Sequence, residues 1–141
     1  MRSSAGWAYR ADSADGGRSW GPARRTRIPN NNSGLDVASL PNGTLVAAFN
    51  PVSRNWGPRM PLRVATSTDG GEAWAAYLDL ESAKGSYAYL AIVPWRSPGG
   101  QPGFALTYTL NRSNIRFLAM TMEEFWALAT PASHYEPQFF V

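Results

Sequence analysis

The chain contains no cysteine, so it has neither a disulfide framework nor thiolate chemistry, and its redox compartment stays open. Lysine is nearly missing as well, with Lys84 standing alone. The single histidine, His134, has no second His or Cys beside it, so no metal site and no cofactor are expected, and a structural or solvated role suits it. No apolar run approaches the roughly 20 residues that span a bilayer, which argues against a membrane span. The first residues, Met1-Arg-Ser-Ser-Ala-Gly-Trp7, lack the apolar stretch of a secretory signal and leave the compartment unassigned. The basic residues are dispersed apart from Arg24, Arg25 and Arg27, and no nucleic-acid motif accompanies them, so no nucleic-acid partner is expected.

What the chain does hold is turn formers and aromatic rings. Its 141 residues include 13 glycines, 11 prolines and six each of Trp, Tyr and Phe, a composition suited to many short strands joined by tight turns. The length allows one domain with a real core. Net charge is +3, and all the cations except Lys84 are arginines. Arginine suits two-pronged recognition of carboxylates, although most surface arginines serve only solubility.

One eight-residue pattern occurs twice. Ser13-Ala-Asp15-Gly-Gly17-Arg-Ser-Trp20 and Ser67-Thr-Asp69-Gly-Gly71-Glu-Ala-Trp74 both read S-x-D-x-G-x-x-W, and they begin 54 positions apart. Repetition at that interval points to a fold built from similar small sheets. Paired glycines permit the positive φ of a tight hairpin, while the Ser and Asp side chains can bond the turn's own backbone. The Trp is expected to bury its ring beneath the turn. Asp15 and Asp69 look like paired acids, but capping of the turn already accounts for them.

Strand-like runs follow one another at short intervals: Trp7 to Ser13, Asp36 to Leu40, Thr44 to Asn50, Pro61 to Ser67, Ala75 to Leu80, Tyr87 to Trp95, Phe104 to Leu110 and Ile115 to Thr121. Pro41-Asn42-Gly43 marks a hairpin turn. Thr121-Met-Glu-Glu124 fits a capping box that opens a short helix to about Leu128. A propeller blade takes four antiparallel strands and roughly 40–50 residues, so about three blades fit here. Closed propellers need about four or more, which makes the chain part of a propeller. Residues 1–129 are read as that part, and 130–141 as a tail.

The paired motif is the Asp box, and the chain resembles the sialidase family of BNR-repeat propellers from Arg2 to about Phe125. The likeness also rests on Pro29-Asn-Asn-Asn-Ser33-Gly34-Leu-Asp36, Leu40-Pro-Asn-Gly-Thr-Leu-Val46, Asn50-Pro51, Arg59-Met-Pro-Leu62, Gly85-Ser-Tyr87-Ala-Tyr89-Leu-Ala91 and Leu106-Thr-Tyr108-Thr-Leu-Asn-Arg112. The resemblance implies an all-β, six-bladed propeller with a glycan site at its axis, and release of terminal sialic acid or a related acidic sugar. Three arginines would clamp the sugar's carboxylate. A carboxylate nucleophile would be repelled by that anion, so the family uses a tyrosine activated by a glutamate. A phenol with its usual pKa near ~10 needs such a base. A separate aspartate serves the leaving group.

Carried onto this sequence, the resemblance places the nucleophile at Tyr87. Tyr89 competes with it from the same face of the strand, two residues on. Arg59 matches the third clamp arginine and Arg2 the second. Asn31, Asn32 and Ser33 would form a polar loop near the glycan or a plain turn, and Asn111 and Arg112 resemble a family motif without an assigned role. The first arginine, the aspartate and the activating glutamate would all precede Arg2, and none of Glu72, Glu81, Glu123, Glu124 or Glu136 replaces the base. The chain is therefore expected to be nearly inert alone, either as a fragment of a sialidase-like hydrolase or as a non-catalytic module for glycans or proteins. Its unfinished ring should self-associate or take missing blades from a partner.

Overall fold

A computed structural model describes residues 1–131, and His134, Glu136 and most of the expected tail lie outside them. The described chain is all-β with one short helix, a partial propeller made of three antiparallel sheets that do not close into a barrel. The first sheet pairs β1 (Trp7–Arg10) with β2 (Arg24–Pro29). The second runs β3 (Asp36–Ser39), β4 (Leu45–Phe49), β5 (Leu62–Ser67) and β6 (Ala76–Glu81) in sequence order. The third holds β7 (Tyr87–Arg96), β8 (Pro102–Leu110) and β9 (Asn114–Thr121).

After β9 the chain enters helix α1 (Met122–Leu128) and then β10 (Thr130–Pro131), which adds a fifth strand outside β6. The sheets thus have two, five and three strands where four each were expected. The reason is visible at Thr121. Its hydroxyl accepts from the Glu124 N–H while the Glu124 carboxylate accepts from the Thr121 N–H at 2.8 Å, a complete capping box that turns the chain into a helix. Among the described residues no strand returns beside β9, and the first residues of the expected tail pair with β6 instead.

Hydrophobic alternation sets the packing. On β8, Phe104, Leu106 and Tyr108 share one face and are buried with Val46, Val64 and Ile92, closing the core between the second and third sheets. Phe125 of α1 plugs the same core, its ring edge-on to Phe104 at 6.1 Å. Each fully buried ring of this kind contributes about 1.5–3 kcal/mol. A smaller core of Ala8, Ile28, Ala47, Phe49 and Ala65 joins the first sheet to the second. β2 escaped the pattern analysis because Arg24-Arg25-Thr26-Arg27 reads as a charged loop. It is a strand because the first Asp box is a hairpin whose second arm must pair with β1, burying Ile28 and letting Arg25 stack on Trp7 at 4.5 Å.

Candidate functional site

Antiparallel strands put successive connections at alternating ends of a sheet. Both Asp boxes, joining β1 to β2 and β5 to β6, therefore lie at one end. The connections at 30–35, 50–61, 82–86 and 111–113 lie at the other.

At the Asp-box end the Ser and Asp side chains are engaged by the turns, while the buried Trp74 indole N–H has no partner among the described residues. Ser13 Oγ donates to Asp15 Oδ1 at 2.8 Å and accepts from Gly17 N–H at 2.8 Å, while Asp15 Oδ1 also accepts from the N–H groups of Arg18 and Ser19. The second box repeats this with Ser67, Asp69, Gly71, Glu72 and Ala73. The glycine pairs sit at φ between 72° and 88°. The Ser19 hydroxyl, then its N–H, holds the Asp15 carboxyl down to about 2. Both aspartates are turn caps, each bonded within its own box. One expectation fails: Trp20 is 64% exposed, its indole N–H donating to Gly17 O at 3.2 Å, because the two-stranded first sheet offers it no surface to pack on. Trp74 does pack on the smaller core. Between these two rings lies an open apolar cleft of about 570 Å³, walled by Ala8, Ile28, Leu35 and Val37.

At the opposite end, side-chain amides, those of Asn30, Asn31 and Asn50 buried and that of Asn111 exposed, lash four connections together. Asn50, 1% exposed, donates to Pro61 O at 3.0 Å and Tyr87 O at 3.2 Å, and accepts from Ser33 Oγ at 3.0 Å. Asn31 donates to Pro58 O at 2.7 Å and accepts from the Ser33 N–H. Asn30 Oδ1 accepts from the Ser3 and Asn32 N–H groups. Ser86 N–H donates to Asn111 Oδ1 at 2.9 Å, and Asn111 N–H to Ser86 O at 2.8 Å. The loop of Asn31, Asn32 and Ser33 is thus a bracing turn. Asn50, quoted in the motif but given no role, is its hub; the signal was a polar residue before proline at the end of an apolar strand.

This frame sets Arg59 beside β7. The Tyr87 N–H donates to Arg59 O at 2.9 Å, and the Arg59 guanidinium lies 5.8 Å from the Tyr89 ring centre. Tyr87 and Tyr89 do not share a face, contrary to the alternation argument. A bulge between Ala88 and Ala91 carries Tyr89 at φ 54°, so Tyr87 is buried at 2% exposure while Tyr89 stands out at 65%. Tyr87 donates its hydroxyl to Ala83 O at 3.1 Å, and its ring meets Tyr108 edge-on at 6.2 Å. Arg2 is exposed between two anchors, the Met1 amine on Tyr9 O at 2.6 Å and the Ser3 N–H on Asn30.

Residues 1–101 match the family model described as a BNR repeat-like domain. The chain belongs to the BNR repeat-like family. No curated protein matches it as a relative.

In this BNR-repeat chain the matched stretch includes both Asp boxes, Arg59, Tyr87 and Tyr89, and it ends at the hairpin before β8. A tyrosine–glutamate pair does exist, though not at the expected tyrosine: Tyr108 donates to Glu81 Oε1 at 2.6 Å. Burial, then this bond and its negative charge, pushes the Tyr108 hydroxyl well above the usual phenol range. Arg10 and Arg24 are spent on Asp12 and Glu72, stitching the first sheet to the second box, and Arg63 is forked onto Asp79 at 2.7 and 2.8 Å. Among the described residues no group of three or more His, Asp or Glu comes together as a metal site.

Proposed function

We propose that this BNR-repeat chain belongs to a sialidase-like propeller and contributes a surface that holds an acidic sugar, sialic acid or a relative, without hydrolysing it alone. The reading rests on one contrast. Tyr89 and Arg59 form an aromatic platform with a cation beside it at the end of the sheets where the connections converge, whereas the Tyr87 hydroxyl is buried on a main-chain carbonyl. A guanidinium pairs with a sugar carboxylate, and an exposed ring covers the apolar face of a pyranose. Arg2, held near the same end through Ser3 and Asn30, supplies a second cation.

The test is a titration of the chain with N-acetylneuraminic acid followed by NMR. Saturable shifts that vanish in Arg59→Ala and Tyr89→Ala are expected, with Tyr87→Phe binding as before. No binding, or binding indifferent to Arg59, rejects the reading.

A second reading keeps Tyr87 as the nucleophile of a retaining hydrolase whose acid, base and first arginine come from elsewhere. The main-chain bond that keeps Tyr87 beside Arg59 favours it. General acid–base help alone is typically worth about 10²–10⁴ in rate, so the chain by itself should not turn over a fluorogenic sialoside. Turnover that appears only when the missing propeller half is added, and disappears in Tyr87→Phe, would establish this second reading instead.

A further inference from the structure

Strand edges present unpaired N–H and C=O groups, and folded proteins guard them. In this structure most edges have a guard. β3 lies against β7, and β10 pairs with the start of β6 at Ala76 and Tyr77. The outer edge of β2 bristles with Arg24, Arg25 and Arg27. Along the free side of β1, Tyr9 exchanges main-chain bonds with Met1 at 2.9 and 2.6 Å, and the Ser3 hydroxyl donates to Trp7 O at 2.6 Å.

β9 has the longest open edge among the described residues. It is eight residues long, pairs among them with β8 alone, and does so in unbroken register without a bulge. Asn114-Ile-Arg-Phe-Leu-Ala-Met-Thr121 contains no proline, lysine or glycine, and Arg116 is its one charge. The register places Ile115, Phe117 and Ala119 on the face of the third sheet turned away from the core, alongside Val93. Ile115 is 79% exposed, Phe117 69% and Val93 54%.

We propose that β9 pairs with β9 of a second copy, antiparallel about a two-fold axis through Phe117, fusing two three-stranded sheets into one of six. The strand is complementary to itself in that register. A two-fold axis perpendicular to the sheet keeps each face on its own side, so residues of like parity come opposite one another. Phe117 then meets Phe117 of the second copy, and Ile115 meets Ala119, extending one apolar stripe across both copies. Arg116 falls opposite Leu118 and not opposite its own image, so the pairing sets no like charges face to face. The contact is one strand edge and a few side chains, less than the roughly 800 Å² per partner of a standard interface, so a weak, concentration-dependent dimer is expected.

The absence of cysteine makes the test clean. At the axis the two Phe117 Cα atoms would sit about 4.5–5.5 Å apart, within the span of a disulfide. Residue 115 would lie about 14 Å from its image, beyond that span. Under mild oxidation of the 141-residue chain, Phe117→Cys should become a covalent dimer while Ile115→Cys stays largely monomeric. Sedimentation of the unmodified chain should show a monomer–dimer equilibrium that Phe117→Lys shifts to monomer, with its circular dichroism unchanged because the side chain is exposed. Four results would each overturn the proposal: a chain that is monomeric at every attainable concentration, assemblies larger than dimers, equal cross-linking of both cysteine variants, or a dimer indifferent to Phe117→Lys.

Discussion

The main-chain N–H of Tyr87 donates to the carbonyl oxygen of Arg59 at 2.9 Å, so the start of β7 and the loop before β5 are held as one piece. Because the bond is made by backbone alone, the Arg59 side chain can be removed without loosening the frame. Arg59→Ala should leave the melting temperature within the small scatter of surface substitutions, about 0.5 kcal/mol, while acidic-sugar affinity falls roughly tenfold or more. Calorimetric unfolding and an NMR titration of the same sample separate the two.

Asn50 is a different case. Its amide serves Pro61 O, Tyr87 O and the Ser33 hydroxyl, all at a site shut off from water. Asn50→Ala strands those partners and should cost about 2–4 kcal/mol. Urea unfolding should show a lower midpoint with an unchanged slope.

Acid should weaken the protein through its turns. Asp15 is held at about 2 when folded, against about 3.8 free, chiefly by the Ser19 hydroxyl. A folded carboxyl that gives up its proton more readily than the unfolded one stabilises fully above about pH 4, and that contribution drains away as pH falls toward 2. Asp69, bonded first by the Ala73 N–H, and Glu72, bonded first by Arg24, are lowered too and act in the same sense. Thermal melts from pH 7 down to pH 2 should fall along an acid limb that is shallower in Asp15→Asn.

Gly103 marks the closest backbone approach in the third sheet. A Cβ there would lie 2.1 Å from Met120 O and 2.7 Å from Thr121 Cα, neither of which can swing aside. Gly103→Ala should force β8 and β9 apart and cost about 3 kcal/mol or more, read as a lower denaturation midpoint.

Much of the architecture can be read from residue order. The repeated turn motif, the alternation along β3 to β9 and the Thr121–Glu124 cap are local signals, and each element formed within a residue or two of where its pattern lies, except β1, which stops at Arg10. β2 was illegible because its strand character comes from pairing with β1 rather than from its own arginine-rich composition. The exposure of Trp20 was illegible for a related reason: whether a ring is buried depends on what another sheet brings over it.

The site divides along the same line. The family resemblance singled out Arg59 and Tyr87, with Tyr89 as the competing tyrosine, and membership of the BNR repeat-like family follows from residue order too. The face each tyrosine takes was settled only by the bulge at Ala88 to Ala91, and the union of Tyr108 with Glu81 only by the packing of β8 beside the end of β6. A bulge reverses every side chain beyond it at the cost of one extra residue, and hydrogen bonds across sheets join positions far apart in the chain. Local chemistry therefore determined which turns and strands could form. Long-range pairing decided which hydroxyl is buried on a carbonyl and which ring stands out beside the Arg59 guanidinium.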